Sequence, residues 1–367
     1  MSRFFASSTD SVTNIECTGP CCGIVSRRGF MKSIAASSVL LAAPAIGAGS
    51  ALAQQKRRVI DVHHHYYPDA FKAYAERENR LAPFARKWSA SVMLDEMAKN
   101  NVDQSVLSLQ TMPVNIYRMK PEESRPIVRS INEQGAQLVR DNKGKLALFA
   151  YVTCNDVDGT LKEIEYAFDT LNADGIEMMT SFGDKWPGDP AFDAVFAELN
   201  RRNAIVYFHP IAPFCCGSLI AGVPESWIEY PHDSTRTVLS LLANGTLARY
   251  RNIRWIISQS GGTLPFVANR LEWFARSSLK NAKEVAPNGI MAEFQRLYYE
   301  TANAAMPATL ASLLKFVPIS QIMYGSDYPF VTSAYNLESL RSNGLNDADL
   351  KAIEYLNAER LIPQLKG

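Results

Sequence analysis

The sequence predicts an α/β protein in which eight strands close into a single (β/α)8 barrel, the TIM-barrel fold. Short apolar runs of strand length alternate with helix-length amphipathic segments over residues 58–367. The alternation repeats eight times, and no low-complexity break divides it, which favours one closed barrel domain. An open, doubly wound sheet is the alternative, but no glycine-rich phosphate-binding turn follows the first strand.

Each predicted strand is a short, mainly apolar run bounded by charged or turn-forming residues. The candidate strands span 58–64, 104–109, 146–152, 174–179, 204–209, 253–258, 297–302 and 320–325. The segments between them carry apolar residues at the spacing of one helix face. The predicted helices span 123–141, 156–172, 190–202, 234–250, 262–278, 306–315 and 345–360.

The amino-terminal segment differs in composition from the barrel. Residues 26–32 read Ser-Arg-Arg-Gly-Phe-Met-Lys, a twin-arginine export signature, and the uncharged run 33–55 is rich in alanine, serine and glycine. This run contains Ala-Leu-Ala at 51–53, so we expect residues 1–53 to be a cleaved signal peptide, with a retained membrane anchor as the alternative. We therefore expect a periplasmic or exported protein that uses the twin-arginine export machinery and keeps no stable membrane span after processing.

Charge and cysteine content exclude two classes of protein. The 38 lysines and arginines nearly balance the 37 aspartates and glutamates, so the chain has no basic footprint for nucleic acid. Beyond the signal segment lie Cys154 and the adjacent pair Cys215 and Cys216, too few for a disulfide framework. The adjacent pair could be oxidised in a periplasm, but we expect two buried thiols.

Histidines and an aspartate follow three of the predicted strands. The first strand ends in Asp-Val-His-His-His, and alternation predicts that His63 and His65 face one side with Asp61 while His64 faces the other. The fifth strand ends at His209 and the eighth at Asp327. The carboxyl ends of barrel strands meet at one face, so His63, His65, His209 and Asp327 predict an open catalytic metal site.

These motifs resemble the amidohydrolase superfamily. The resemblance rests on Asp-x-His-x-His-x-x-Pro at 61–68, on His209-Pro210, on Ser-Gly-Gly-x-x-Pro at 260–265 and on Gly-Ser-Asp-Tyr-Pro at 325–329. Within the superfamily, the chain is similar to the aminocarboxymuconate-semialdehyde decarboxylase group, and longer stretches such as GGTLPFVANRLEWF are similar to the branch that includes 6-methylsalicylate decarboxylase. The resemblance implies one divalent ion per chain, usually Zn²⁺ and in some members Mn²⁺, and subunits that often form homodimers. The lack of a lysine on the fourth strand also favours a single ion.

The chain departs from the family at one position. Family members usually carry histidine at the end of the sixth strand, where this chain has Gln259. An amide can hydrogen-bond to a substrate oxygen or a water molecule, but it cannot exchange a proton near neutral pH. We therefore expect Gln259 to orient substrate or water. The resemblance to hydroxybenzoate decarboxylases implies that Asp327 carries the catalytic proton.

Further residues have both a functional and a structural interpretation. Arg236 could bind a substrate carboxylate, although an arginine in an early helical turn is more often solvated or paired. His232 could replace the missing imidazole, although we expect a solvated loop histidine. Gly261 and Gly262 could open a helix whose amino terminus receives an anionic substrate, or they could form a simple tight turn.

The expected function is metal-dependent decarboxylation of a small aromatic or unsaturated hydroxy acid, with a small carboxylate as substrate. Hydrolysis of a lactone, ester or amide is the alternative that the same superfamily supports. A third alternative is a catalytically impaired ligand-binding protein, and it rests on Gln259. These three functions predict different products, so the product of the reaction separates them.

Overall fold

Eight parallel strands form the centre of the molecule, and each strand is hydrogen-bonded to the next one along the chain. A computed structural model describes residues 57–109, 116–217, 219–279 and 281–366. The strands are Ile60–Tyr66 (β1), Gln104–Leu109 (β2), Leu146–Tyr151 (β3), Gly175–Met179 (β4), Ile205–His209 (β5), Arg254–Ile257 (β6), Tyr298–Glu300 (β7) and Ile322–Met323 (β8).

The sheet closes into a barrel through backbone hydrogen bonds between β1 and the segment that follows β8. The Val62 amide donates to the carbonyl of Tyr324 at 3.0 Å, and the Asp327 amide donates to the carbonyl of His63 at 2.9 Å. These bonds satisfy backbone groups that an open sheet would leave at its edges. The closed barrel is therefore confirmed.

The helices lie between consecutive strands, as the apolar spacing predicts. All the predicted helical segments contain helix, and the sequence analysis missed several further helices, three of which follow β1. The α-helices are Asp69–Arg77, Pro83–Lys87, Ala90–Lys99, Pro121–Asp141, Val157–Asp169, Asp193–Arg201, Glu225–Ala243, Thr246–Arg249, Leu264–Ser278, Ala282–Val285, Ile290–Gln295, Pro307–Phe316, Ser333–Arg341, Asp347–Lys351 and Asn357–Leu361, with a π-helical turn over Ala352–Leu356. Among the described helices, none is long and apolar enough to cross a membrane.

The start of the helix after β5 was predicted wrongly. The helix after β5 begins at Glu225 and not at residue 234, and it continues through Pro231. Proline has no amide hydrogen to donate and favours the first helical turn, so the sequence pattern suggested a later start. As a result, His232 lies within a helix and not in a loop, although its side chain is exposed as expected.

The carboxyl-terminal residues close the barrel at the amino ends of the strands. Leu361, Ile362 and Leu365 pack in the same interior cluster as Ile60 of β1. Arg254, the first residue of β6, also donates to the carbonyl of Leu361 at 3.1 Å. This end of the barrel is therefore filled by side chains, and a ligand must enter from the other end.

The adjacent cysteines contradict the sequence interpretation. Cys215 and Cys216 are joined by a disulfide, and Cys215 is exposed, whereas we expected two buried thiols. They lie in the loop between β5 and the helix Glu225–Ala243, which keeps them out of the core. Cys154 is a free, buried thiol. The signal peptide predicted for residues 1–53 lies outside the described residues.

Candidate metal centre

Four metal-ligating side chains converge at the carboxyl ends of the strands. His63 and His65 lie on β1, His209 is the last residue of β5, and Asp327 follows β8. One ligand atom from each lies within 4.8 Å of the others, and all four residues are buried. The structure thus brings together the four residues that the sequence predicted as ligands.

The ligand nitrogen and oxygen atoms lie as close to one another as polar atoms that share a cation. His63 Nε2 lies 3.1 Å from His65 Nε2 and 3.4 Å from Asp327 Oδ1. His65 Nε2 lies 3.1 Å from the same Asp327 oxygen. His209 Nδ1 is buried and has no hydrogen-bond partner in the described chain. Three imidazole nitrogens and one carboxylate oxygen are a donor set typical of Zn²⁺ and also suitable for Mn²⁺.

A β-bulge in β1 decides which side chains reach the cluster. Asp61 pairs with Ser105 and His64 pairs with Leu107, so three residues of β1 advance against two of β2. The extra residue resets the alternation of side chains. Asp61 therefore lies on the side of His64 and accepts from His64 Nδ1 at 2.9 Å, so its expected place beside His63 and His65 was wrong.

Hydrogen bonds on the far side of each imidazole orient the two β1 histidines. His63 Nδ1 donates to Glu300 Oε1 at 2.8 Å, and His65 Nδ1 lies 3.3 Å from the carbonyl of Ser108. A carboxylate oxygen only accepts hydrogen bonds, so His63 Nδ1 carries a hydrogen, and the Nε2 atoms of both histidines face each other at the centre. Such outer partners fix the tautomer of a metal ligand.

The cluster has the electrostatics of a cation site. Burial lowers the pKa of His65 and holds the pKa of His209 well below its usual value, so both rings are neutral. Burial opposes charge on His63 as well, but Glu300 and Asp327 raise its pKa to about 10. Burial alone would raise the pKa of Asp327, but His63 and His65 hold it well below its usual range. A metal ion would replace the proton on His63 and would be coordinated by the ionised carboxylate of Asp327.

A cavity of about 1000 Å³ opens beside the cluster. His209 and Asp327 contribute to its wall, and so do several aromatic side chains. The lining residues include Tyr67, Phe71, Leu81, Ala82, Phe84, Trp227, Tyr230, Gln259, Gly262, Asn303 and Phe330, together with the charged residues Arg80 and Glu225. A mainly apolar cavity of this size with a few polar groups at one wall suits a small organic ligand with an anionic end.

Three residues of the cavity wall have left-handed backbone conformations. Gln259, Asn303 and Asp327 follow β6, β7 and β8 and have φ values of 52°, 54° and 65°. Side chains other than glycine rarely adopt this region, and such conformations cluster at functional sites. The turns aim all three polar side chains at the cavity.

Gln259 occupies the position that the sequence analysis assigned to it. Its side chain is partly buried, lines the cavity and has no hydrogen-bond partner among the described residues, while its backbone amide donates to Glu300 Oε1 at 2.7 Å. Gly262 also lines the cavity, whereas Gly261 does not. Both glycine amides donate to backbone carbonyls, and a Cβ on Gly262 would lie 1.8 Å from the carbonyl oxygen of Pro231. The glycines therefore serve a tight turn.

Arg236 lies apart from the cavity wall. Its Nη1 is 3.3 Å from Glu229 Oε2 and 3.7 Å from Asp233 Oδ1 on the same helix. None of these three residues lines the cavity. The arginine is paired within its helix, so the structure does not bring it to the substrate as the sequence analysis considered.

The sequence analysis missed two polar residues of the site. Glu300, at the end of β7, holds His63 and the backbone of Gln259, and Asn303 donates through its side chain to Asp327 Oδ2. Glu300 is fully buried. A charged residue at the end of the apolar run 297–302 was the available signal, and the same rule had already identified His209 and Asp327.

The fourth strand supplies no further ligand to the cluster. Glu177 of β4 is fully buried and accepts from the Leu109 amide at 2.6 Å, and burial raises its pKa well above the usual value. It is not part of the four-residue cluster. Within the described residues, this geometry agrees with the expected single ion.

A family model and known proteins match this chain over most of its length. The model described as amidohydrolase matches residues 60–364. A protein of Aspergillus aculeatus called 6-methylsalicylic acid decarboxylase is 31% identical over 277 residues, which are 74% of this chain and 84% of that protein.

Solved structures have the same fold. One described as amidohydrolase II is 26% identical, with a TM-score of 0.76 over 83% of this chain and 99% of that one. A dihydroxybenzoic acid decarboxylase from Polaromonas, solved with manganese and the inhibitor 2-nitroresorcinol, is 16% identical, with a TM-score of 0.73 over 85% of this chain and 98% of that one.

Proposed function

Because this chain belongs to the amidohydrolase family, we propose that it is a metal-dependent decarboxylase of a small aromatic hydroxy acid of the 6-methylsalicylate type. The observation that carries the proposal is the buried three-histidine, one-aspartate cluster in the wall of a largely apolar cavity. The relative from Aspergillus aculeatus, which is named for decarboxylation of 6-methylsalicylic acid, supports the substrate class.

The proposed cofactor is one divalent ion held by His63, His65, His209 and Asp327. The manganese in the Polaromonas decarboxylase supports Mn²⁺, and the donor set supports Zn²⁺ equally well. When bound, the ion supplies Lewis-acid polarisation of the substrate oxygens. Metal analysis of protein purified without added metal decides between the two ions.

Asp327 is the proposed proton carrier. Since the neighbouring histidines hold its pKa low, it is ionised at rest and must first take a proton, which the substrate hydroxyl adjacent to the carboxylate can supply. Asp327 then delivers this proton to the ring carbon that bears the carboxylate. The bond to the carboxylate breaks, its electron pair restores the aromatic ring, carbon dioxide leaves, and the phenolate product takes a proton from solvent.

The experiment is to load the protein with Mn²⁺ or Zn²⁺ and to offer a panel of hydroxybenzoates with benzoate as the control. We expect released carbon dioxide and the matching phenol from acids with an adjacent hydroxyl, and no product from benzoate. Mass spectrometry of the product separates this result from hydrolysis, which adds water and loses no carbon. No product from any acid, with metal content confirmed, would contradict decarboxylation.

Substitution of Gln259 distinguishes a functional catalytic site from a catalytically impaired one. If the carboxamide hydrogen-bonds to a bound acid, Gln259→His should lower kcat/KM about ten-fold or more, because hydrogen bonds to charged groups are worth about 1.5–3 kcal/mol. The measurement is steady-state decarboxylation at equal metal content, with Gln134→His on the helix Pro121–Asp141 as a remote control. A large gain in activity from Gln259→His would instead favour the impaired ligand-binding protein.

Export and assembly are separate proposals. The twin-arginine signature at 26–32 supports export to the periplasm, and replacing Arg27 and Arg28 together by lysine should retain the protein in the cytoplasm. The fractionation of cells by osmotic shock checks this result. The resemblance to dimeric relatives supports a homodimer, which light scattering of the purified protein tests.

A further inference from the structure

Tyr67 is a buried tyrosine at the edge of the metal centre that the proposed chemistry does not yet use. It directly follows β1, and its ring packs against Phe71, Phe84 and Trp88 with centroid separations of 6.0, 6.0 and 6.1 Å. It contributes to the cavity wall, yet it is only 2% exposed. Its ring is therefore held in place from several sides.

The Tyr67 hydroxyl has no hydrogen-bond partner among the described residues. Buried polar groups in native proteins almost always have a partner, so an unpartnered hydroxyl in a cavity wall calls for a ligand. The neighbouring tyrosine shows the contrast. Tyr66 is equally buried, but its hydroxyl donates to the carbonyl of Ile131 at 3.3 Å.

The surroundings determine which partner suits Tyr67. A phenolic hydroxyl can donate a hydrogen bond to a carboxylate or phenolate oxygen. Asp327 is already engaged, since Oδ1 lies against the histidines and Oδ2 accepts from the Asn303 side chain. The matching group is an oxygen of a bound anion in the cavity.

We infer that the Tyr67 hydroxyl is a substrate-binding group that donates a hydrogen bond to an anionic oxygen of the bound hydroxy acid. This inference rests on the proposed function and adds a residue to it. Tyr67 binds on the β1 side of the cavity, while Gln259 lines the wall after β6. The two residues together would fix the orientation of the acid.

The test compares Tyr67→Phe with Tyr66→Phe, which removes the same hydroxyl one residue earlier. Binding of salicylate and of benzoate to the Mn²⁺-loaded proteins is measured by calorimetry, and melting temperatures are measured without ligand. We expect Tyr67→Phe to weaken salicylate binding about ten- to hundred-fold at unchanged metal content and with an equal or higher melting temperature. Tyr66→Phe should lower the melting temperature and leave salicylate binding unchanged.

The comparison of salicylate with benzoate identifies the oxygen of the acid that accepts the hydrogen bond from Tyr67. A similar loss for both acids places the hydrogen bond on the carboxylate, and a loss confined to salicylate places it on the phenol oxygen; either result supports the inference. If the wild type binds and converts hydroxybenzoates while Tyr67→Phe binds salicylate as tightly as the wild type, the inference alone is wrong. If the wild type neither binds nor converts any acid, the proposed function fails and the inference falls with it.

Discussion

Replacing Asp327 by asparagine is expected to lower kcat by about 10²–10⁴-fold, the usual effect of removing a general acid or base. Asparagine keeps the size of the side chain and one oxygen, but it cannot carry a proton. The three histidines still provide the three protein ligands that suffice for a catalytic metal ion, so the variant should hold about one ion per chain at saturating metal. Single-turnover kinetics with metal analysis of the same preparation measure both quantities.

Salicylate binding distinguishes the two roles of Asp327. If the residue acts mainly as proton carrier, the variant binds salicylate at least as tightly as the wild type, because a negative charge beside the anion has been removed. If metal and salicylate binding are lost together with activity, Asp327 acts mainly as a ligand. Activity within ten-fold of the wild type would rule out the proposed proton transfer.

Replacing Glu300 by glutamine is expected to lower metal affinity about 10–100-fold, the range found for outer-shell partners of metal ligands. Glu300 Oε1 accepts from His63 Nδ1 and from the Gln259 amide, and its Oε2 accepts from the Ala302 amide. A carboxamide has one acceptor oxygen, so one of these donors would face an amide hydrogen. Titration against a competing chelator measures the change in affinity.

Glu293→Gln is the matched control for this prediction. Glu293 is also a buried glutamate with several donors, since it accepts from Arg251 and Arg296, but it lies on the helix Ile290–Gln295. Both variants should be less stable than the wild type. A loss of metal affinity of the same size in both would show that Glu300 acts through general stability and not through His63.

The four ligands could be predicted because the rule that locates them is local. His63, His65, His209 and Asp327 each follow or end an apolar strand run, and parallel strands in a closed barrel bring their carboxyl ends to one face. Strand and ligand patterns were therefore sufficient for the barrel and for the metal cluster. Glu300 satisfies the same rule and was overlooked, so the omission was not a limit of the sequence.

Other features depend on contacts between distant segments. The β-bulge that turns Asp61 towards His64 arises from the pairing of β1 with β2, and strict alternation within β1 could not reveal it. The start of the helix at Glu225 was hidden by Pro231, since the local signal for a break was overridden by packing. The disulfide between Cys215 and Cys216 likewise lies in a loop whose position the sequence pattern did not fix.

The sequence by itself determined the barrel, the ligand set and the glutamine at residue 259, because periodicity and strand-end position are encoded within each segment. Only the tertiary structure decided which polar groups have partners. It paired Arg236 within its helix, brought Asn303 to Asp327, and left the Tyr67 hydroxyl without a hydrogen-bond partner among the described residues. The physical reason is that a hydrogen bond depends on atoms meeting within about 3 Å, and residues far apart in the chain meet only after the barrel has closed.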